Sequence, residues 1–193
     1  MSNVCGTAHA LSILSPIADG RAPALRGALE GLGQGGASPL ARLPGTHLAR
    51  WVLIPELDFE DFAPEGEEHR PPVYLLFTST FDGADDEHLA AICAKLPQEA
   101  DAVWSHCRGY PGTEDPARFA DYMRRHRIRT NLFASAYADA DLAEILEALR
   151  LRRRLIRFAV SVEGLDPEAL RSAFRREFPR DEAQRGAELA PAR

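Results

Sequence analysis

The sequence predicts an α+β domain, and three observations carry that prediction. Short apolar runs alternate with helical stripes in a recognisable order, the runs are apolar on both sides, and further helical stripes follow toward the C-terminus. A strand-like run at residues 9–16 leads to a helical segment at 23–32 and a second strand at 47–54. A third strand at 73–81 follows, then helical segments at 87–107 and 116–125, then a fourth strand at 132–137. The order is β-α-β-β-α-β, the split βαβ or ferredoxin-like arrangement. It implies a four-stranded antiparallel sheet with helices on one face, here with extra C-terminal helices.

Each strand is justified by alternation, because successive side chains point to opposite faces. The first carries Leu11 and Ile13 on one side and Leu14 on the other. In the second, His47, Ala49, Trp51 and Leu53 lie opposite Leu48, Arg50, Val52 and Ile54. In the third, Val73, Leu75, Phe77 and Phe81 lie opposite Tyr74, Leu76, Thr78 and Asp82. A strand buried on one side alternates apolar with polar, and these do not. Helices cover one face; the other calls for a second sheet, a second subunit or a ligand. A homodimer formed through that face is the expected solution.

The helices follow from spacing and punctuation. GLGQGGASP (31–39) is a glycine-rich connector. Leu89, Ile92, Cys93 and Leu96 keep helical spacing until Pro97 interrupts, after which Val103, Trp104 and Cys107 resume it. RGYPG ends the run with turn chemistry. Asp115-Pro116 opens a helix with Phe119, Tyr122, Met123 and His126 on one side, proline being suited to a first turn. Leu142, Ile145, Leu146 and Leu149 form another stripe, and Asp166-Pro167 opens a last helix presenting Leu170, Ala173, Phe174 and Phe178. DEAQRGAELAPAR at the end has no core pattern and is expected to fray. The division expected is a ferredoxin-like domain over residues 1–160 and a C-terminal helix with its tail over 161–193.

Composition narrows the function classes. A chain of 193 residues suits one domain with a real core, and no apolar run approaches the length of a membrane span. The opening MSNVCGTAHALSILSPI lacks the features of a secretory signal. Cys5, Cys93 and Cys107 are odd in number and in no metal-type spacing, which reads as reduced thiols in a cytoplasm. The net charge of −6 hides segregation: residues 56–68 are acidic, while arginines cluster at 124, 125, 127 and 129 and again at 150, 152, 153, 154 and 157. Overall acidity argues against nucleic-acid binding, which draws affinity from phosphate neutralisation. A local site for an anion or an acidic protein partner stays open.

No P-loop, dinucleotide glycine motif, nucleophile elbow or HExxH occurs. His47 and Arg50 point to opposite faces unless a bulge intervenes, and their plain reading is a hydrogen-bonded strand histidine and an ion-pair arginine. Asp82-Gly83 is turn chemistry, and with Asp85 and Asp86 it could cap the next helix. His106 and Cys107 point about 100° apart on a helix, and Trp104 and Cys107 read as core. In RRHRIR, His126 could ligate haem or a metal while arginines hold anionic groups. Its plain reading is a helix C-terminus favouring cations. LRLRRRLIR reads as a solvated helix face. Arg50, Asp82, His126 and Tyr137 belong to or flank elements that otherwise read as core. Burial makes them pair with one another or converge on a pocket.

GTHLARWVLI, LLFTSTFDG, AVWSHCRGYPG and RRHRIRTNLFASAY together resemble the dimeric α+β-barrel proteins associated with haem peroxidases and catalases, over roughly residues 45–150. The wider superfamily includes dye-decolorising peroxidases, chlorite dismutase-like haem proteins and cofactor-free monooxygenases. Of the GxxDG motif of dye-decolorising peroxidases, FDG at 81–83 keeps the Asp-Gly end. The resemblance implies a haem-associated, peroxidase-like oxidative chemistry with haem as cofactor. Arg50 and Asp82 would be the catalytic groups, His47 or His126 the axial ligand, and Arg125 and Tyr137 further cofactor contacts. A distal arginine and carboxylate can manage peroxide protons. Two readings of other classes compete: a non-catalytic interaction module docking through the sheet face or the arginine-rich helices, and a cofactor-free monooxygenase.

Overall fold

The first strand, β1 (Val4–Cys5), turns through Gly6 into β2 (Ala8–Pro16); β3 (Thr46–Ile54) and β4 (Tyr74–Asp82) complete an antiparallel sheet of order β1-β2-β4-β3. The computed structural model describes residues 3–34, 36, 38–55 and 73–179. The acidic stretch 56–68 and the terminal 181–193 lie outside them, as do two residues of the connector. The helices are α1 (Ala22–Gly33), α2 (Asp85–Lys95), α3 (Pro97–Trp104), α4 (Pro116–Arg125), α5 (Leu142–Ser161) and α6 (Pro167–Glu177), with a 3-10 turn at Pro39–Arg42. The chain divides into two units, Met1–Glu144 and Ile145–Arg193.

The expected fourth strand at 132–137 is corrected: that stretch is irregular chain and turn, and the fourth strand of the sheet is β1. Leu132 and Tyr137 are 86% and 66% exposed. Between them only Phe133 is large and apolar, and Ala134, Ser135 and Ala136 offer little side-chain surface to hold a strand. The following turn is held instead by the β1–β2 corner, where Thr7 N donates to Ala138 O at 2.8 Å. Gly6 permits that approach: it has φ +61°, and a Cβ there would stand 1.7 Å from Ala138 O.

With only two residues in β1, most of the outer edge of β2 is closed by other segments in relay. Ala10 N donates to Asn3 O; Leu14 N donates to His126 O and Ile128 N to Ser12 O; Ala18 N donates to His106 O and Arg108 N to Pro16 O. Antiparallel bridges join Ile13 to Arg127 and Ile17 to Cys107. An unpaired strand edge invites intermolecular pairing, and three short covers remove it.

The two faces of the sheet then separate. Leu11, Ile13, Leu75, Phe77 and Phe81 share one core with Leu25 of α1, Leu89 and Ile92 of α2, Trp104 of α3 and Phe119 of α4. Trp104 is fully buried, edge-on to Trp51, Phe77 and Phe119 at centroid distances of 5.8, 5.4 and 6.3 Å. The other face carries cross-strand rows Pro16–Tyr74–Ile54, Leu14–Leu76–Val52, Ser12–Thr78–Arg50 and Ala10–Thr80–Leu48. None of these residues belongs to the core cluster, and Leu48 and Val52 are 62% and 37% exposed.

Helix boundaries follow the residues that cap them. Pro97 divides α2 from α3, as its missing N–H requires. Asp115 accepts from Ala117 N and Arg118 N at 3.0 and 3.2 Å, and Asp166 does the same for Glu168 N and Ala169 N at 2.9 and 3.1 Å. Asp141 and Glu144 form a reciprocal capping box at the start of α5: Glu144 N donates to Asp141 and Asp141 N to Glu144. In the second unit Phe158, Phe174 and Phe178 cluster at 5.0–5.7 Å, and no residue of α5 or α6 is buried. No described helix is long and apolar enough to cross a membrane.

Candidate functional site

Two of the expected site residues meet directly. His47 Nε2 lies 2.7 Å from Asp82 Oδ1, and Leu142 N donates to Asp82 Oδ2 at 2.8 Å. The carboxylate accepts from both, so it orients the imidazole and receives the first turn of α5. Both side chains are about a fifth exposed, at 18% and 21%. The pair exists because β3 bulges: Thr46 pairs with Phe81 but Leu48 with Thr80, leaving His47 as the extra residue. The bulge brings His47 to Asp82, which follows Thr78 and Thr80 on the side of the sheet turned away from α1 to α4. Simple alternation places His47 and Arg50 on opposite faces; the bulge puts them on the same one.

Arg50 does not join the pair. Its Nε donates to Thr78 Oγ1 at 3.2 Å, and Thr78 stands four residues before Asp82, about 13 Å along the strand. His126 is farther still. It caps α4 and its carbonyl accepts from Leu14 N, whereas Asp82 pairs with Ala8. Six residues of β2 separate those points, about 20 Å. The His126 ring packs 4.2 Å from Tyr122, and Nδ1 donates to Tyr122 O at 2.9 Å, which leaves Nε2 as the acceptor nitrogen. Arg125 and Tyr137 are exposed, the latter with its backbone N donating to Ser135 Oγ. Of the residues a haem reading requires, His126 fits an axial role with its Nδ1–H held by a carbonyl. His47 has committed its Nε2 to Asp82, and Arg50 and Asp82 do not stand beside His126.

A cleft of about 730 Å³ opens at the same end of the sheet, between β2, the start of α2 and the chain after α4. Its floor is Leu11, Leu89 and Met123, and its rim carries His9, Asp85 and Arg129. Arg127 Nη1 pairs with Asp85 Oδ2 at 2.6 Å, and His9 Nδ1 stands 3.8 Å from Asp85 Oδ1, an oxygen buried without a hydrogen bond. Arg124 is tied to Asp86 at 2.9 Å and to Asp121 at 2.8 Å. Two of the four arginines in the dense positive cluster of the sequence, Arg124 and Arg127, are thus spent on carboxylates of α2 and α4. Sequence spacing gives no sign of the pairings with Asp85 and Asp86, because those partners lie about forty residues away and meet the arginines only through the fold.

The remaining chemistry-bearing groups are structural. Ser79 Oγ and His88 Nε2 share a buried hydrogen bond of 3.0 Å, with the ring stacked 3.7 Å from Phe81. Burial pulls the His88 pKa down from 6.5 to about 4, so the ring is neutral at pH 7. Burial pushes the Cys107 thiol up to about 12, which removes its thiolate, and Tyr122 likewise to about 12. Tyr110 donates to Asp101 at 2.8 Å beside Thr113 at 2.9 Å, an internal polar triad. Among the described residues no group of three or more His, Cys, Asp or Glu side chains could hold a metal ion. No family model, curated protein or solved structure matches the chain.

Proposed function

We propose that this protein is a non-catalytic interaction module that pairs with a second copy through the face of its sheet turned away from α1 to α4. The observation that carries this reading is the division of the sheet: α1 to α4 share a core with one face, while on the other Val52 stands exposed in a row with Leu14 and Leu76, and Leu48 in a row with Ala10 and Thr80. Three nine-residue strands present a face of about 30 by 14 Å, the scale of a patch that a monomer rarely leaves uncovered. The relation to a ferredoxin-like sheet supports the reading too. Residues 126–128 bond to the edge of β2 where the fourth strand of a split βαβ unit would lie.

Sedimentation velocity at micromolar concentration tests it. A dimer is expected for the native chain and a monomer for Leu48→Glu/Val52→Glu, both folded by circular dichroism. A native monomer, or a dimer indifferent to both substitutions, refutes the reading.

A second reading, a haem-associated role, is supported by one feature: the free Nε2 of His126, with Nδ1 fixed on Tyr122 O. Titration with hemin is its test. A saturable Soret shift abolished by His126→Ala supports it, and a spectrum unaltered by that substitution removes His126.

A further inference from the structure

We infer that α5 is a docking surface for an acidic amphipathic helix of a partner protein. The inference is independent of the sheet-face reading, because every residue it uses lies in the second unit. At about 100° per residue, Leu146, Leu149, Ile156 and Val160 fall within about 80° of the helix circumference. They are 42%, 39%, 53% and 70% exposed. The side of α5 that meets α6 is the opposite one: Phe158 packs on Phe174 and Phe178, and Arg154 binds Glu177 and stands 4.9 Å over Phe178. The exposed stripe is therefore a second apolar face, turned away from the hairpin's own contact.

The charges around this stripe decide the occupant. Arg150, Arg153 and Arg157 lie within and beside it and surround Ile156 in a shallow groove of about 490 Å³. None has an ion-pair partner among the described residues. Arginines three and four residues apart on one helix face repel, so the isolated surface is electrostatically unsatisfied. Residues 145–179 hold eight arginines against five acidic residues in a chain of net charge −6. A second copy of this hairpin would set like charge against like. A bilayer requires a broad apolar face, and here Arg153 falls inside a narrow one. A narrow stripe with flanking charge is the geometry of a helix–helix seam, with carboxylates of the partner meeting the arginines.

The probe is a labelled three-heptad peptide with leucine at the a and d positions and glutamate elsewhere, titrated into the full chain by fluorescence anisotropy. Saturable binding is expected, weakening by about tenfold between low and moderate salt, as exposed charge pairs are screened. Arg150→Gln/Arg153→Gln/Arg157→Gln and, separately, Leu149→Ser/Ile156→Ser should each weaken it by about tenfold, a loss of about 1.4 kcal/mol. Circular dichroism of each variant confirms that the helices persist. A scrambled peptide of equal charge should bind at least about tenfold more weakly, since it offers no seam. Equal binding of the scrambled peptide, no binding at all, or no effect of either variant overturns the proposal. So does tighter binding to phosphatidylserine vesicles than to the peptide, or a self-association that the Leu149/Ile156 variant abolishes.

Discussion

The two units of this chain bury their apolar residues to opposite degrees. In the unit Met1–Glu144, Trp104, Phe77, Phe81, Phe119 and Leu25 are all at or below 1% exposure. In the unit Ile145–Arg193 no residue of α5 or α6 is buried, and Phe174 remains 47% exposed. Both carry amphipathic helices and aromatic clusters, so composition does not explain the difference. What differs is the number of layers. Four helices and a sheet close around a common core, whereas two helices offer each other one face apiece. A pair of helices this short is marginal without further packing. Its apolar surface stays exposed, which is the physical basis for proposing that a partner docks there.

Similar truncations in the two units test how far their packing differs. Trp104→Ala should cost about 3–5 kcal/mol, because it leaves a large cavity edge-on to three aromatic rings. Phe174→Ala should cost less than about 1 kcal/mol, since its ring is half in water already. Urea unfolding measures both, and comparable losses would show that the hairpin is as well packed as the sheet unit.

A second effect belongs to the sheet unit alone. His88 titrates near 6.5 when unfolded and near 4 when folded. Between those values the unfolded chain binds the extra proton, so stability is fully present above pH 6.5 and falls as the pH drops toward 4. The loss amounts to about 3 kcal/mol for this group. His88→Gln should flatten the pH dependence of unfolding across that window by a similar amount. An unchanged slope would contradict burial of the neutral ring. The smallest effect is expected at Arg154→Ala, below about 1 kcal/mol, read as a slight loss of helical ellipticity. A larger loss would mean that the Arg154–Glu177 pair holds the hairpin together.

Much of this fold is legible in the sequence because its elements are locally determined. Pro116 and Asp115 fix α4, Pro97 splits α2 from α3, and the apolar runs of β2, β3 and β4 start and stop within a residue of their expected ends. The fourth strand is not legible, since two residues of β1 and three separate segments share one edge and none has a periodic signal of its own. The site is less legible still. Strict alternation separates His47 from Arg50, yet a one-residue bulge moves His47 to Asp82; Gly45, at φ +64° beside that bulge, is the local hint. The pairing of Asp82 with Leu142 N and of Arg127 with Asp85 depends on where the chain returns in space. The burial of His88 against Ser79 and Phe81 likewise depends on how the helix packs on the sheet.

Inter-copy distances from pulsed electron spin resonance test directly whether the sheet face turned away from α1 to α4 lies against a second copy. Cys93 and Cys107 are buried, so a Cys5→Ser background leaves one introduced cysteine to label. Sheets packed face to face stand about 10 Å apart. Labels at Arg50→Cys should therefore give an inter-copy distance below about 25 Å, whereas labels at Lys95→Cys, on the exposed side of α2, should give a much longer one. A short distance from Lys95 with none from Arg50, or no dipolar coupling from Arg50 at dimer-forming concentration, would show that the copies do not meet through this face.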